Sequence, residues 1–212
     1  MSIAYWVFMK IGTLYIISAP SGAGKTSLVK QLVKDTANLT VSISHTTRQM
    51  RPGEEHGRDY YFVSVAEFQA MLAQQAFLEH AQVFDNFYGT AQQTVQDNLN
   101  QGSDVILEID WQGAKQIKQL LPDSIAIFIL PPSIAVLEQR LRSRGQDDEP
   151  VIARRMQDAV AEMGHYWEFD YLVVNDDFAT ALAELKSIVV CHRLLRGRQV
   201  VEHRALLASL LA

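Results

Sequence analysis

The chain of 212 residues contains one cysteine, Cys191. No disulfide can form within it, which fits a reducing, cytoplasmic setting, and a lone cysteine reads as a packing residue. Long apolar runs are also missing. Ile3–Met9 is apolar but far too short to span a bilayer. It has neither a basic leader nor a small-residue cleavage site, so it does not read as a signal peptide. A second methionine, Met9, stands just before Lys10-Ile-Gly-Thr13, so the first eight residues read as an extended start outside the fold. No internal repeat and no low-complexity linker interrupts the chain. None of His45, His56, His80, His165, His192 and His203 is spaced with cysteines or acids as a metal ligand. There is no G-x-S-x-G and no Cys/His nucleophile pattern. An excess of positive charge is absent too: the net charge is −5. Bulk electrostatics therefore do not point to nucleic acid. The basic residues group locally, at Arg48/Arg51 and from Arg140 to Arg155, which suits a small anionic ligand.

What is present starts from an ordinary globular composition, with 48% apolar and 20% charged residues. That is enough for one substantial domain or a core with inserted subdomains. The most informative stretch is Ser18-Ala-Pro-Ser-Gly-Ala-Gly-Lys-Thr26. A β-branched, apolar run precedes it, Thr13–Ile17, and Leu28, Val29, Leu32 and Val33 recur after it at helical spacing. Strand, Gly-rich turn and helix in this order is the context of a phosphate-binding loop. Gly22 and Gly24 let the backbone curl so that its N–H groups face a phosphate, and the helix N-terminus adds its positive end. Lys25 is placed to reach β- and γ-phosphates, and the Thr26 hydroxyl suits Mg²⁺. The first glycine of the usual pattern is Ala19 here.

Short β-rich runs at Leu14–Ser18, Asp104–Ile109, Ile125–Leu130 and Tyr171–Val174 alternate with helical patterns. That alternation predicts a parallel sheet covered on both faces. Two segments break it. Val41–Gln96 is polar and aromatic, with strand-like pieces such as Tyr60–Val63. Ser64-Val-Ala-Glu67 reads as a capping box opening a helix with Phe68, Met71 and Leu72 on its apolar side. This is a small α+β insert. From Pro131 a helix carrying Leu137 and Leu141 runs into Arg144–Pro150, and a second helix follows. This arginine-rich hairpin reads as a lid. The chain is helical again from Ala181 on.

Three clusters carry chemistry. Glu108 and Asp110 end an apolar strand and point to one face. They are either acids beside the phosphates or two solvated strand-end carboxylates. Ser44–Glu54 gathers hydroxyls with Arg48 and Arg51 in a turn-like stretch, and Tyr60 and Tyr88 are available to complete an anion cage. Taken singly, these arginines read as surface charges and these tyrosines as core. Glu79 sits in apolar, aromatic company, between Phe77-Leu78 and Phe87-Tyr88-Gly89-Thr90. It is either a half-exposed glutamate at a helix end or a buried carboxylate awaiting a purine's N–H donors.

These residues together resemble the guanylate kinase family. The resemblance runs from about Thr13 to about Leu194. It rests on SAPSGAGKT, SHTTRQMRPGE, FLEHA, YGT, EIDWQG, ILPPS, RSRGQ and VNDD in that order. It implies a P-loop nucleoside-monophosphate-kinase-like α/β fold, a three-layer parallel sheet with a GMP-binding insert and a helical lid. The expected division is an extension over 1–12, a kinase domain over 13–195 and a helical tail over 196–212. Within the domain the core is 13–40, 97–131 and 164–195, the insert 41–96 and the lid 132–163. The implied activity is Mg²⁺-dependent transfer of the ATP γ-phosphoryl group to GMP or dGMP, with no nucleic acid or membrane partner. ATP would lie on Ala19, Pro20, Ser21, Gly22, Ala23, Gly24, Lys25 and Thr26, with Arg140 at its phosphates and Asn175 near the adenine. Arg48, Arg51, Tyr60 and Tyr88 would hold the GMP phosphate, and Ser44, Glu79 and Thr90 would read guanine. Asp110 matches an acid near the base and Lys25. Lys25, Arg48, Arg144 and Arg155 are the expected catalytic set. Glu108 stands where the family usually has aspartate, so its expected contact with Mg²⁺ is through water. A scaffold-type relative that has lost transfer is disfavoured by Lys25 and the Arg48/Arg51 pair. A GTPase is disfavoured because no Asn-Lys-x-Asp segment is present, and a ribose-phosphate kinase by the guanine-reading set. The tail, with Arg193, Arg196, Arg198 and Arg204 beside Leu206, Leu207, Leu210 and Leu211, either packs on its own core or joins copies into an oligomer.

Overall fold

The computed structural model describes residues 12–83, 85–143 and 148–212. The expected extended start and Arg144 lie outside them. β1 (Leu14–Ser18) leads through a tight loop into α1 (Lys25–Asp35). β2 (Leu39–Val41), β3 (His45–Thr46) and β4 (Tyr61–Phe62) follow. Next come α2 (Val65–Ala73), β5 (Phe77–Val83), β6 (Asn86–Ala91) and α3 (Gln92–Asn100). β7 (Asp104–Glu108), α4 (Trp111–Leu120) and β8 (Ile125–Leu130) come after them. α5 (Ile134–Ser143) and α6 (Glu149–Met163) precede β9 (Tyr171–Val174) and α7 (Phe178–Arg193). Two short helices, α8 (Arg196–Glu202) and α9 (Arg204–Leu210), close the chain.

The larger sheet has the order β2-β7-β1-β8-β9, and its strands are all parallel. Alternation along β1 explains its place at the centre. Tyr15 and Ile17 enter one core with Leu28 and Leu32 of α1 and Leu185 and Val189 of α7. Leu14 and Ile16 enter the opposite core with Val95 and Leu99 of α3 and Ala114 and Ile117 of α4. With helices fixed on both faces, the loops after β1 and β7 emerge at the same edge, where α/β sheets bind ligands. The predicted strands β1, β8 and β9 match residue for residue, and β7 stops one residue early, at Glu108. α3 runs unbroken across residue 96, the expected end of the insert, because its Val95 and Leu99 belong to the same buried face.

The smaller sheet has the order β4-β3-β6-β5. α2 covers it through Phe68, which stacks on Phe77 at 4.6 Å and on Phe87 at 5.6 Å. The predicted capping box is formed: Ser64 accepts from the Glu67 N–H, and Glu67 accepts from the Ser64 N–H. Leu137 and Leu141 of α5 are buried over the loop after β1, where a Cβ on Gly22 would meet them at 3.0–3.2 Å. Asp148 caps α6 and Pro150 lies in its first turn. Among the described residues no helix is long and apolar enough to cross a membrane.

At the far end of the sheet Asp104 is fully buried. Its two oxygens accept from Arg193 Nε at 2.7 Å and Arg198 Nη1 at 2.8 Å. The Thr13 N–H adds a third bond, at 2.7 Å. α8 is thereby tied to the sheet, although no residue of α8 or α9 is buried and Leu206, Leu210 and Leu211 stay exposed.

Candidate functional site

The loop from Ala19 to Gly24 is shaped by two glycines with left-handed backbone, Gly22 at φ 94° and Gly24 at φ 92°. Behind it lies Asn175, buried at the end of β9, whose Nδ2 donates to the Ala23 carbonyl at 2.7 Å. A side chain on Gly24 would collide with that amide. Ser18 Oγ donates to the Ile109 carbonyl at 2.7 Å, and Lys25 Nζ lies 3.5 Å from the same oxygen. Contacts within the protein thus brace the loop itself and both of its ends. Arg140 of α5 donates to the Asn175 carbonyl at 3.1 Å. Its other terminal nitrogen, Nη1, is buried with no hydrogen-bond partner among the described residues. An unpaired buried guanidinium N–H, on a residue bonded to the same Asn175 that holds the loop, matches what a phosphate oxygen would supply.

One cleft of about 270 Å³ joins this loop to the smaller sheet. Ala19–Gly22, Gly24, Lys25 and Thr26 line one wall, and Ser44, Tyr60, Glu79 and Tyr88 the other. Glu108 and Asp110 form the floor between them. Thr26 Oγ1 donates to Glu108 Oε2 at 3.2 Å. Asp110 caps α4 by accepting from the Gly113 N–H at 2.9 Å.

Glu79 is on β5, opposite Thr90 of β6, and only 3% of its surface is exposed. The helix-end alternative is thus excluded. Thr90 Oγ1 donates to Glu79 Oε1 at 2.6 Å, and the Ser44 hydroxyl lies 3.4 Å from Thr90 Oγ1. Burial raises the Glu79 pKa from 4.5 to about 7, Asp110 adds to the rise, and the Thr90 hydrogen bonds oppose it. On its other side a Cβ on Gly113 would come within 2.6 Å of Glu79 Oε2.

Arg48 lies over the rings of Tyr60 and Phe62, 5.5 and 5.7 Å from their centroids. Its Nη2 donates to Glu54 Oε1 at 2.7 Å, while Glu54 Oε2 accepts from the Arg51 N–H at 2.8 Å. The Arg51 residue is itself exposed. Tyr60 and Tyr88 meet edge to face at 6.0 Å. Burial, helped by Tyr88 and Glu108, pushes the Tyr60 phenol up to about 12, so it stays a proton donor at neutral pH. Arg155 is half-buried on α6.

The sequence pattern of the Guanylate kinase family matches residues 11–191. The chain belongs to the guanylate kinase family. It is 59% identical over 203 residues to the guanylate kinase of Sodalis glossinidius, covering 95% of this chain and 98% of that one. It is 57% identical over 206 residues to the guanylate kinase of Escherichia coli K12, covering 96% and 100%. The crystal structure of guanylate kinase from Anaplasma phagocytophilum superposes with a TM-score of 0.76 at 31% identity, covering 89% of this chain and 90% of that one. Members of this family are nucleoside monophosphate kinases, and the P-loop α/β fold expected from the resemblance is the fold observed.

Three residues in or behind the cleft have no role that the sequence pattern assigns. Glu54 holds the Arg48 guanidinium and the Arg51 backbone N–H, six and three residues before it. Gly113 lets the first turn of α4 approach Glu79. Glu162, near the end of α6, lines the cleft beside Lys25. Only Glu54 had a local signal, an acid following two arginines in one turn. The other two depend on contacts across the fold.

Proposed function

We propose that the protein transfers the γ-phosphoryl group of ATP to GMP, giving ADP and GDP. The observation that carries this reading is buried Glu79, held by Thr90 from behind and with Ser44 beside it, lining one cleft with the phosphate loop. An ionised Glu79 accepts from guanine N1–H and the 2-amino group. Thr90 has one hydroxyl proton and commits it to Glu79, so it positions the carboxylate. Ser44, whose one proton then points to Thr90 Oγ1, turns it to guanine O6 when the base binds. Arg48, Arg51, Tyr60 and Tyr88 hold the GMP phosphate, with Glu54 pre-setting the Arg48 guanidinium. The loop N–H groups, Lys25 and the unpaired Nη1 of Arg140 take the ATP phosphates, and Arg144 and Arg155 of the lid complete the charge. Asn175 shapes the loop from behind and, through the end of β9, the adenine side. Phosphoryl transfer needs in-line placement and charge neutralisation rather than covalent help. Closure of insert and lid on both nucleotides excludes water and suppresses hydrolysis. Coupled measurement of ADP release with GMP, dGMP, AMP, UMP and ribose phosphates tests the reading. Equal turnover with AMP would overturn it.

Gly113 offers a second test of base recognition. Gly113→Ala should lower kcat/KM for GMP by about 10²-fold, because the new methyl displaces the carboxylate by a fraction of an ångström or more. In a Glu79→Ala background the same change should cost nothing further, and a double-mutant cycle measures that coupling. Independent, additive losses would show that Gly113 does not act through Glu79.

The residues fit a Mg²⁺ ion that arrives with its nucleotide. Among the described residues no group of three His, Cys, Asp or Glu side chains is placed to hold a metal by itself. The Thr26 hydroxyl and the Glu108 carboxylate, 3.2 Å apart, are hard oxygen donors at the mouth of the loop. Mg²⁺ would neutralise charge on the β- and γ-phosphates there. Glu108, whose carboxylate already accepts from Thr26, would meet such an ion through water. Glu108→Ala should raise the Mg²⁺ requirement about tenfold, and Glu108→Asp should change it little. Unaltered Mg²⁺ dependence in Glu108→Ala would return Glu108 to a solvated strand-end role.

A further inference from the structure

β5 is the outer strand of the smaller sheet, so among the described residues one of its edges meets no other strand. Backbone groups on such an edge usually face water. At His80 they do not. The His80 N–H donates to Gln116 Oε1 at 3.2 Å, and Gln116 Nε2 donates to the His80 carbonyl at 2.8 Å. One side-chain amide thus takes both backbone groups of one residue, as a facing residue does in an antiparallel strand pair. Gln116 belongs to α4, whose Ala114 and Ile117 pack in the core of the larger sheet. The two bonds therefore tie the smaller sheet to the larger one.

The tie falls at a telling place. Glu79, Ala81 and Val83 line the cleft, and His80 between them is exposed, so Gln116 engages its backbone. Just before Glu79 the register of β5 on β6 slips: Phe77 faces Ala91 and Glu79 faces Thr90, which leaves Leu78 as an extra residue. A bulge of this kind re-aims the neighbouring side chain and interrupts the ladder that would hold it. The Gln116 bonds grip the strand one residue beyond the carboxylate. On α4, Gly113 stands one turn before Gln116, and Gly113 is the residue packed against the Glu79 carboxylate. Lys30 and Asp59 also join the two parts, at 3.2 Å, but that lysine side chain is 65% exposed. Such an ion pair contributes little and fixes no strand.

We propose that Gln116 is a positioning residue for purine recognition: its amide completes the edge of β5 and so sets where the Glu79 carboxylate stands against α4. The inference rests on Glu79 reading the base. Guanine asks for two contacts at once, from N1–H and from the 2-amino group, each about 2.7–3.2 Å from a carboxylate oxygen. Without the Gln116 bonds β5 is free to twist at its bulge, and the carboxylate keeps one of the two. The hypoxanthine nucleotide IMP has N1–H and lacks the 2-amino group. It loses less when the carboxylate turns, so the ratio of GMP to IMP use reports the position of Glu79.

The test is steady-state transfer from ATP to GMP and to IMP by wild type, Gln116→Met and Gln116→Glu. Methionine keeps the length of the stem and removes both hydrogen bonds. Glutamate keeps an acceptor for the His80 N–H and sets a negative oxygen against the His80 carbonyl. Gln116 is only half-buried, so the glutamate variant folds and decides the matter even if the methionine variant does not. Each variant should raise KM for GMP about tenfold and KM for IMP about twofold, with kcat and KM for ATP unchanged. In a Glu79→Ala background neither change should cost anything further. A residue that merely held the fold would lower the use of GMP, IMP and ATP together. Equal losses on GMP and IMP, or a loss that persists without Glu79, would overturn the proposal. Wild type that prefers GMP, with variants that keep the full preference, sinks this inference alone. Wild type with no preference for GMP over IMP and AMP sinks base reading by Glu79 and this inference together.

Discussion

Glu79→Ala is expected to lower kcat/KM for GMP by about 10⁴-fold while leaving ATP binding intact. The site is built on hydrogen bonds in a buried strand pair, and such sites discriminate far better than apolar pockets. Adenine carries an acceptor at N1 and lacks the 2-amino group, so it would leave Glu79 with neither partner. The pH profile adds a sharper check. Burial raises the Glu79 pKa to about 7. Guanine needs it ionised, so GMP binding should strengthen as pH rises through about 7 and release protons. Folding runs the other way. The native pKa is raised above the unfolded 4.5, so the contribution of this group to stability is full below 4.5 and is lost as pH rises towards 7. The loss is on the order of 3 kcal/mol. Thermal unfolding of wild type against Glu79→Gln should show wild type losing ground over that window. A pH-independent difference between the two, together with unchanged GMP kinetics in Glu79→Ala, would sink base recognition by Glu79.

Lys25→Met should reduce phosphoryl transfer by at least about 10³-fold without loss of fold. Lys25 starts α1 directly after Gly24 and reaches over the cleft towards the Ile109 carbonyl. Methionine fills the same stem volume and removes only the charge. The loop keeps its other supports: Asn175 on the Ala23 carbonyl, Ser18 on the Ile109 carbonyl and the cover of Leu137 and Leu141. Single-turnover transfer, measured beside a melting curve, separates the two effects. Near-normal turnover would remove the loop from the mechanism.

The local features were legible because they depend on neighbours in the chain. A run such as Leu14–Ser18 is buried on both faces and shows it in five consecutive residues. Ser64 and Glu67 announce a helix start at a spacing of three, and Gly22-Ala-Gly-Lys-Thr26 announces its ligand class. The three-dimensional site was legible chiefly through the ordered set of motifs. Glu79 alone left two readings open, and burial in a strand pair decided between them. Contacts made across the fold left no periodic trace. Gly113 reads as a poor helix residue until Glu79 is seen behind it. Glu162 reads as one more acid on an amphipathic helix. Asp104 reads as the edge of a strand, because its arginine partners lie 89 and 94 residues further on.

That last cluster orders events in time. Asp104 opens β7, beside the central strand, yet neither of its cationic partners emerges during synthesis until every strand has been made. A nascent sheet would carry a desolvated carboxylate without a counter-ion, which opposes early burial of that edge. The phosphate loop at the opposite edge waits only for Asn175, which follows β9 and precedes both helices. The nucleotide end of the sheet can therefore consolidate first, and the Asp104 end acts as the closing stitch, sewn when α7 and α8 arrive.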